Sequence, residues 1–234
     1  MIRYSYLTGK GSEPLKFRHE YKHEISYGDL LILRQRLGTL LQRDPHAVGG
    51  SYQIRSLYFD TPGDTALREK QEGLSRREKF RLRYYNADTS FIRLEKKSKL
   101  GSLCCKETAP ITREQVIRLL AGEEQDTGEP LLEQLQSRIR TTLLSPKTVV
   151  EYTREPFLYP PGNVRVTLDY DIRSGLDCRE FLNPRSLTVP TPDNPILLEV
   201  KWDEFLPDLI RDAIQLENRH TGAFSKYAQC RRYG

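Results

Sequence analysis

Every second residue is charged in a series of short segments of this 234-residue chain, and the residues between them are mostly apolar. Lys79–Tyr85 carries Lys79, Arg81 and Arg83 on one face and Phe80, Leu82 and Tyr84 on the other. Ile92–Lys97 sets Arg93, Glu95 and Lys97 against Ile92, Leu94 and Lys96. Val164–Asp171 sets Arg165, Thr167, Asp169 and Asp171 against Val164, Val166 and Leu168. Leu197–Trp202 sets Glu199 and Lys201 against Leu198, Val200 and Trp202. Val149–Arg154 groups Val150, Tyr152 and Arg154, and Phe17–Ile25 groups Arg18, Glu20, Lys22 and Glu24. A period of two is the mark of a β-strand with unlike faces.

Helix signals punctuate these strands. Ser26 and Asp29 have capping-box spacing ahead of Leu30, Leu33, Leu37 and Leu41. Thr112 and Gln115 repeat it. Thr61-Pro62 opens a helix toward Glu72, and Leu131–Leu144, Pro207–Glu217 and Thr221–Arg231 read as three more. Pro156–Gly162 and Asn183–Pro195 read as loops.

Two architectures satisfy the pattern. An open sheet can turn its charged face to solvent and pack its apolar face inward. Alternatively the sheet closes with charge inside and helices cover the apolar outside. Amphipathic helices need an apolar sheet to sit on. Arginine also dominates faces on which solvent usually selects a mixture with Thr and Ser. Both points favour an α+β fold: a closed antiparallel β-barrel of about eight strands with helices packed outside.

A cationic interior repels itself unless water, carboxylates or an anion share it. Glu20, Glu24, Glu95, Asp169 and Glu199 on the charged faces supply carboxylates. Arginine forks match phosphate oxygens, so the contents expected are a polyanion and a hard divalent ion held by such carboxylates. Tyr58, Phe59, Tyr84 and Trp202 read as packing between barrel and helices, and Asp60 as a strand-to-helix turn residue.

Composition adds limits. Hydrophobic residues are 37%, charged residues 29% and the formal charge is +5. That balance fits one globular domain over residues 16–234, with residues 1–15 a mobile polar segment. No stretch suits a signal peptide or a membrane span, so membrane association would need a partner. Cys104, Cys105, Cys178 and Cys230 lack zinc or redox spacing and fit reduced thiols in the cytoplasm. No nucleic-acid motif or aromatic-interleaved basic groove is present, so nucleic acid is not expected as a partner.

Several landmarks carry a family resemblance: Phe17-Arg-His-Glu-Tyr-Lys22, Ser56-Leu-Tyr-Phe-Asp-Thr-Pro62, Lys79-Phe-Arg-Leu-Arg-Tyr-Tyr85, Arg93-Leu-Glu-Lys-Lys97, Val164-Arg-Val-Thr-Leu-Asp169, Leu198-Glu-Val-Lys201 and Phe224-Ser-Lys-Tyr227. In this order the chain resembles the VTC domain, the polyphosphate polymerase domain of the vacuolar transporter chaperone, among the triphosphate tunnel (CYTH-like) metalloenzymes. The resemblance implies a tunnel in which the terminal phosphate of ATP passes to a growing polyphosphate chain with Mn²⁺ or Mg²⁺. It implies Arg81, Arg83, Arg154, Arg165 and Lys97 as the catalytic cations. Lys22, Lys106, Tyr152, Ser225 and Lys226 become substrate-binding residues and Glu199 the metal ligand. Lys201 is either a substrate contact or the ion-pair partner of Glu199. A triphosphatase of the same fold and a non-enzymatic polyphosphate-binding module are the alternatives. Ala223 departs from the family pattern, where a basic residue is expected; Arg219 and His220 lie one turn earlier. Glu20-x-Lys22-x-Glu24 departs from the E-x-E-x-K signature of the hydrolase branch.

Overall fold

A computed structural model describes residues 18–101, 103–216 and 224–232. The segment 1–15, Arg219, His220 and Ala223 lie outside the described residues. Strands β1 (His19–Ile25), β2 (Gln42–Arg43) and β3 (Tyr52–Asp60) begin the order, with helix α1 (Tyr27–Leu40) after β1 and α2 (Thr65–Gln71) after β3. Three long strands follow: β4 (Arg76–Tyr85), β5 (Asp88–Leu100) and β6 (Leu103–Ile111). Helices α3 (Arg113–Leu120) and α4 (Pro130–Thr142) lead to β7 (Ser145–Tyr159) and β8 (Val164–Gly175). Strands β9 (Thr188–Pro190) and β10 (Ile196–Trp202) precede α5 (Asp208–Ala213) and α6 (Lys226–Cys230).

All ten strands belong to one antiparallel sheet whose long strands run β1-β10-β8-β7-β3-β4-β5-β6; β2 adds to β7 and β9 to β8. Its two edges, β1 and β6, share no ladder. Arg18 and Cys104 form a single isolated bridge between them. The expected hydrogen-bonded closure is therefore corrected: the sheet curls around one cavity but its ladder stays unzipped at this seam. Lys22 and Lys97 face each other across the seam with Glu20 between them, and β1 is only seven residues long. Both features disfavour a continuous ladder there.

The apolar faces look outward, under the helices. Phe80, Leu82 and Tyr84 join Ile92, Leu94 and the α3–α4 residues Val116, Leu119, Leu131, Leu132 and Leu135. Leu30, Leu33 and Leu37 of α1 cover Val166, Leu168, Leu198 and Val200. Both expected capping boxes form, at Ser26–Asp29 and Thr112–Gln115. Phe59 and Tyr84 pack on the α3–α4 side and Trp202 on the α1–α5 side, as expected. Tyr58 also packs on a helix, its ring 5.2 Å from that of Tyr227 in α6, while its hydroxyl edge borders the cavity.

Three further expectations need correction. Residues 156–159 are strand, not loop: Pro156 pairs with Thr167, and buried Phe157 keeps the alternation going. That packing outweighs the one ladder bond that proline cannot donate. Asp171, at φ 50°, lies where the β7–β8 register shifts, so Ile172 turns inward and Asp171 is half exposed to solvent. Helix α2 starts at Thr65, after Asp64 in the left-handed region. Its amide ends are capped from the strand, with Asp60 accepting from the Ala66 and Leu67 N–H groups.

Candidate functional site

The curled sheet encloses a cavity of about 900 Å³ lined by fourteen basic and two acidic residues. Alternation puts them there: inward positions of β4, β5, β6, β7, β8, β10 and β1 all contribute. All twelve residues singled out from the sequence border this one cavity. Their spacing within it forms three groups, each built on a buried carboxylate.

The first group centres on Glu95, which is 1% exposed. Arg81 donates to it at 2.6 Å, Lys106 lies at 2.5 Å and Arg83 at 3.8 Å. Burial opposes its charge, yet Arg81, Arg83 and Lys106 hold its carboxyl far below the usual carboxylate range. Arg83 also donates to Ser56 (3.0 Å) and to the Tyr152 hydroxyl (3.3 Å), and Arg81 to the Tyr58 hydroxyl (2.8 Å). Burial also pushes Lys106 down to about 8, with Arg81 and Arg83 adding repulsion that Glu95, shared three ways, does not offset.

The second group centres on Asp169, which grips Arg154 through two bonds of 2.6 Å and Lys226 at 2.6 Å. Tyr152 lies beneath both cations, its ring centre 5.4 Å from the Arg154 guanidinium and 4.6 Å from the Lys226 ammonium. Ser225 borders the cavity and its side chain caps α6 by accepting from the Ala228 N–H.

The third group straddles the seam. Lys201 is 2.5 Å from Glu199, while Lys22 lies 3.8 Å from Glu199 and 3.4 Å from Glu20. Lys97 and Lys201 reach Glu20 at 3.3 and 3.6 Å. Burial opposes the charge of Lys22, but Glu199 and Glu20 raise its pKa well above the lysine range. Arg165 stands apart, with Asp44 at 3.1 Å and the Tyr52 hydroxyl in contact.

Sequence reasoning did not single out Tyr52, Asp44, Arg77 or Lys99, and it gave Tyr58 a packing role alone, whereas Glu95 and Asp169 are the interleaved carboxylates it expected. Extending the period of two along β4 and β5 would have reached Arg77 and Lys99. Tyr58 carries a signal too, since it shares the inward face of β3 with Ser56.

The donor set can be tested against a divalent metal. Among the described residues no three His, Cys, Asp or Glu side chains cluster as a metal site. Glu199 and Glu20 are close enough to interact and both face the cavity. One or two carboxylates, with phosphate and water supplying the remaining oxygens, suit Mg²⁺ or Mn²⁺ arriving with a phosphate ligand. A preformed protein cage is not present among the described residues.

A family model described as the VTC domain matches residues 17–233. The chain belongs to the VTC domain family. A search of curated protein sequences returned no match. Among solved structures, this VTC domain shares its fold with a Hippeastrum protein described as an adenylyl cyclase candidate with a dominant triphosphatase activity. The two are 13% identical, with a TM-score of 0.53, covering 94% of this chain and 96% of that one. A Bacillus halodurans protein described as an adenylate cyclase candidate matches at 13% identity and TM-score 0.49, covering 80% of each chain. The Mimivirus capping enzyme triphosphatase matches at 10% identity and TM-score 0.39, covering 86% of this chain and 87% of the viral one. Among the described residues of the VTC domain, no helix is long and apolar enough to cross a membrane.

Proposed function

We propose that this VTC domain is a polyphosphate polymerase that transfers the terminal phosphate of ATP to a growing polyphosphate chain within its basic cavity. The observation carrying this reading is the cationic excess of the lining, fourteen basic against two acidic side chains. A single triphosphate offers only a handful of negative charges, so the surplus suits a longer polyanion lying beside the nucleotide phosphates.

No protein nucleophile is needed. An ionised oxygen of the acceptor phosphate attacks the γ-phosphorus, the bond to the β–γ bridging oxygen breaks, and ADP leaves with that bond's electrons. Arg81, Arg83 and Arg154 would orient the phosphates and offset charge as it redistributes, aided by Arg165 and Lys97. Their guanidiniums are held by Glu95 and Asp169, so little reorganisation accompanies binding. Lys22, Lys106, Lys201, Lys226 and Tyr152 would hold the flanking phosphates. Glu199 and Glu20 would hold a divalent ion, which would supply charge neutralisation at the phosphates.

Incubation with ATP and Mn²⁺ tests the proposal. Long polymer on a gel supports it. Free orthophosphate alone would instead favour a triphosphatase, a second reading that draws on the description of the Hippeastrum fold relative. Neither product would leave a binding module. Arg83→Ala should lower turnover roughly 100-fold or more, as loss of a charge-stabilising donor does, while the folded structure persists because Arg81 and Lys106 still hold Glu95. Undiminished turnover in that variant would remove Arg83 from the site.

A further inference from the structure

The cavity is divided electrostatically. Arg81, Arg83, Arg154, Lys22, Lys97, Lys106, Lys201 and Lys226 each share a carboxylate. Arg77, Lys79 and Lys99 border the same cavity, and among the described residues none of them comes within ion-pair distance of a carboxylate. Arg77 donates only to the Glu69 carbonyl, at 3.4 Å, and Lys79 lies over the Tyr227 ring at 4.7 Å. The acids in their field are otherwise engaged or set back. Asp60 accepts from backbone N–H groups of α2 and from the Tyr227 hydroxyl, and the Glu69 carboxyl is pushed up by burial and by Asp60.

Strand register makes this a deliberate arrangement. Arg77 is directly opposite Lys99, and Lys79 directly opposite Lys97. Like charges placed opposite each other on one sheet face destabilise the sheet. With Arg81 and Arg83, residues Arg77 and Lys79 complete a row along β4 about 20 Å long at ~3.4 Å per residue.

We infer that Arg77, Lys79 and Lys99 form a separate anion subsite that holds the chain of a condensed phosphate beyond its first three units. This rests on the proposed reading of the cavity as a phosphate tunnel and adds a direction to it. The chain runs along β4 from the Arg81–Arg83 pair toward the turn before Arg76. Triphosphate alone is satisfied by the carboxylate-anchored cations, whereas the unpaired trio gains a counter-charge only from a longer chain. Burial pushes Lys79 down to about 8, in keeping with a cation that lacks a counter-charge of its own.

Calorimetric titration of the full chain without nucleotide tests this, using long-chain inorganic polyphosphate and tripolyphosphate as titrants. Wild type should bind the long chain more tightly. Arg77→Gln with Lys99→Gln should weaken long-chain binding roughly tenfold or more, the value of a lost charge-assisted contact, and leave tripolyphosphate binding unchanged. The melting temperature without ligand should hold or rise, because a like-charge pair is gone. Equal losses for both titrants, no loss for the long chain, or no chain-length preference in wild type would each overturn the inference. Lys99→Gln alone provides the same comparison if the double variant does not fold. Because no ATP is present, a failure to synthesise polymer in the separate assay does not move this readout.

Discussion

Tyr58 illustrates how strongly the cavity acts on a single side chain. Burial would raise its phenol pKa, yet Arg81, Arg83 and Lys226 draw it down to about 8. Burial moves Lys79 and Lys106 to about 8 as well, in their case against the charged form. The linkage sign is the same for all three. The unfolded chain holds their protons to about pH 10, while the folded protein releases them near 8. The unfolded state therefore binds more protons between these limits, and stability rises with pH across that window. Lys22 works the other way, since its raised pKa gives stability that is lost as pH climbs beyond the ordinary lysine range. The buried thiols of Cys178 and Cys230, pushed up to about 11 and about 12, subtract from the rise above about pH 8.5 without matching three groups. The ligand-free protein should thus melt at higher temperature at about pH 9.5 than at about pH 7.5. Lys79→Gln should flatten that rise. A melting temperature that falls steadily over the same range would contradict the assignment. Tyr58→Phe should cost about 1 kcal/mol through its lost hydrogen bond and abolish a tyrosinate absorbance change near pH 8.

Among the elements, α6 is the most exposed to failure. Five residues form no stable helix alone, so α6 depends on its anchors. Tyr227 donates to Asp60 at 2.6 Å, Arg231 pairs with Asp64 at 2.9 Å and Lys226 pairs with Asp169. Asp60 thereby ties the end of β3, the start of α2 and α6 into one unit. Tyr227→Phe should cost about 1–3 kcal/mol by leaving a buried acceptor short of a donor, and weaken phosphate binding more than it alters turnover at saturation. A change in turnover alone would argue that α6 acts in chemistry rather than in holding Lys226. The strands of the site were legible because alternation and the Arg–Glu face coincide in β4, β5, β8 and β10. What escaped depends on contacts no local pattern contains. Pro156 stays in a strand because Phe157 finds a core. The alternation of β8 resets at the Asp171 bulge. The start of α2 is capped by a side chain five residues before its first residue. Tyr58 resembles packing until its neighbour across the ladder, Arg81, is known.

At the scale of the molecule, overall charge is misleading. The chain has 37 basic and 32 acidic residues, and the cavity takes fourteen and two of them, which leaves 23 basic against 30 acidic elsewhere. The formal excess of +5 is thus concentrated in the cavity lining, and six of the remaining acids, Asp44, Asp60, Glu95, Glu151, Glu155 and Asp169, are themselves buried. Closure of the ladder was likewise beyond the sequence, because it turns on whether two distant edges meet, and here they touch at one bridge. The confined cations attract any phosphate chain thin enough to enter, while a wide, rigid polyanion cannot reach them. Long-chain polyphosphate should therefore raise the melting temperature, with about 2.7 kcal/mol of stabilisation at a hundredfold excess over its dissociation constant. That gain should shrink as salt screens the charges. Duplex DNA, as strongly charged but too wide for the cavity, should neither stabilise the protein nor displace polyphosphate at physiological salt. Thermal melts with each polymer across a salt series provide the measurement. Competition by DNA would mean that the cations are reached from outside, and the enclosed channel would have to be abandoned for an open basic face.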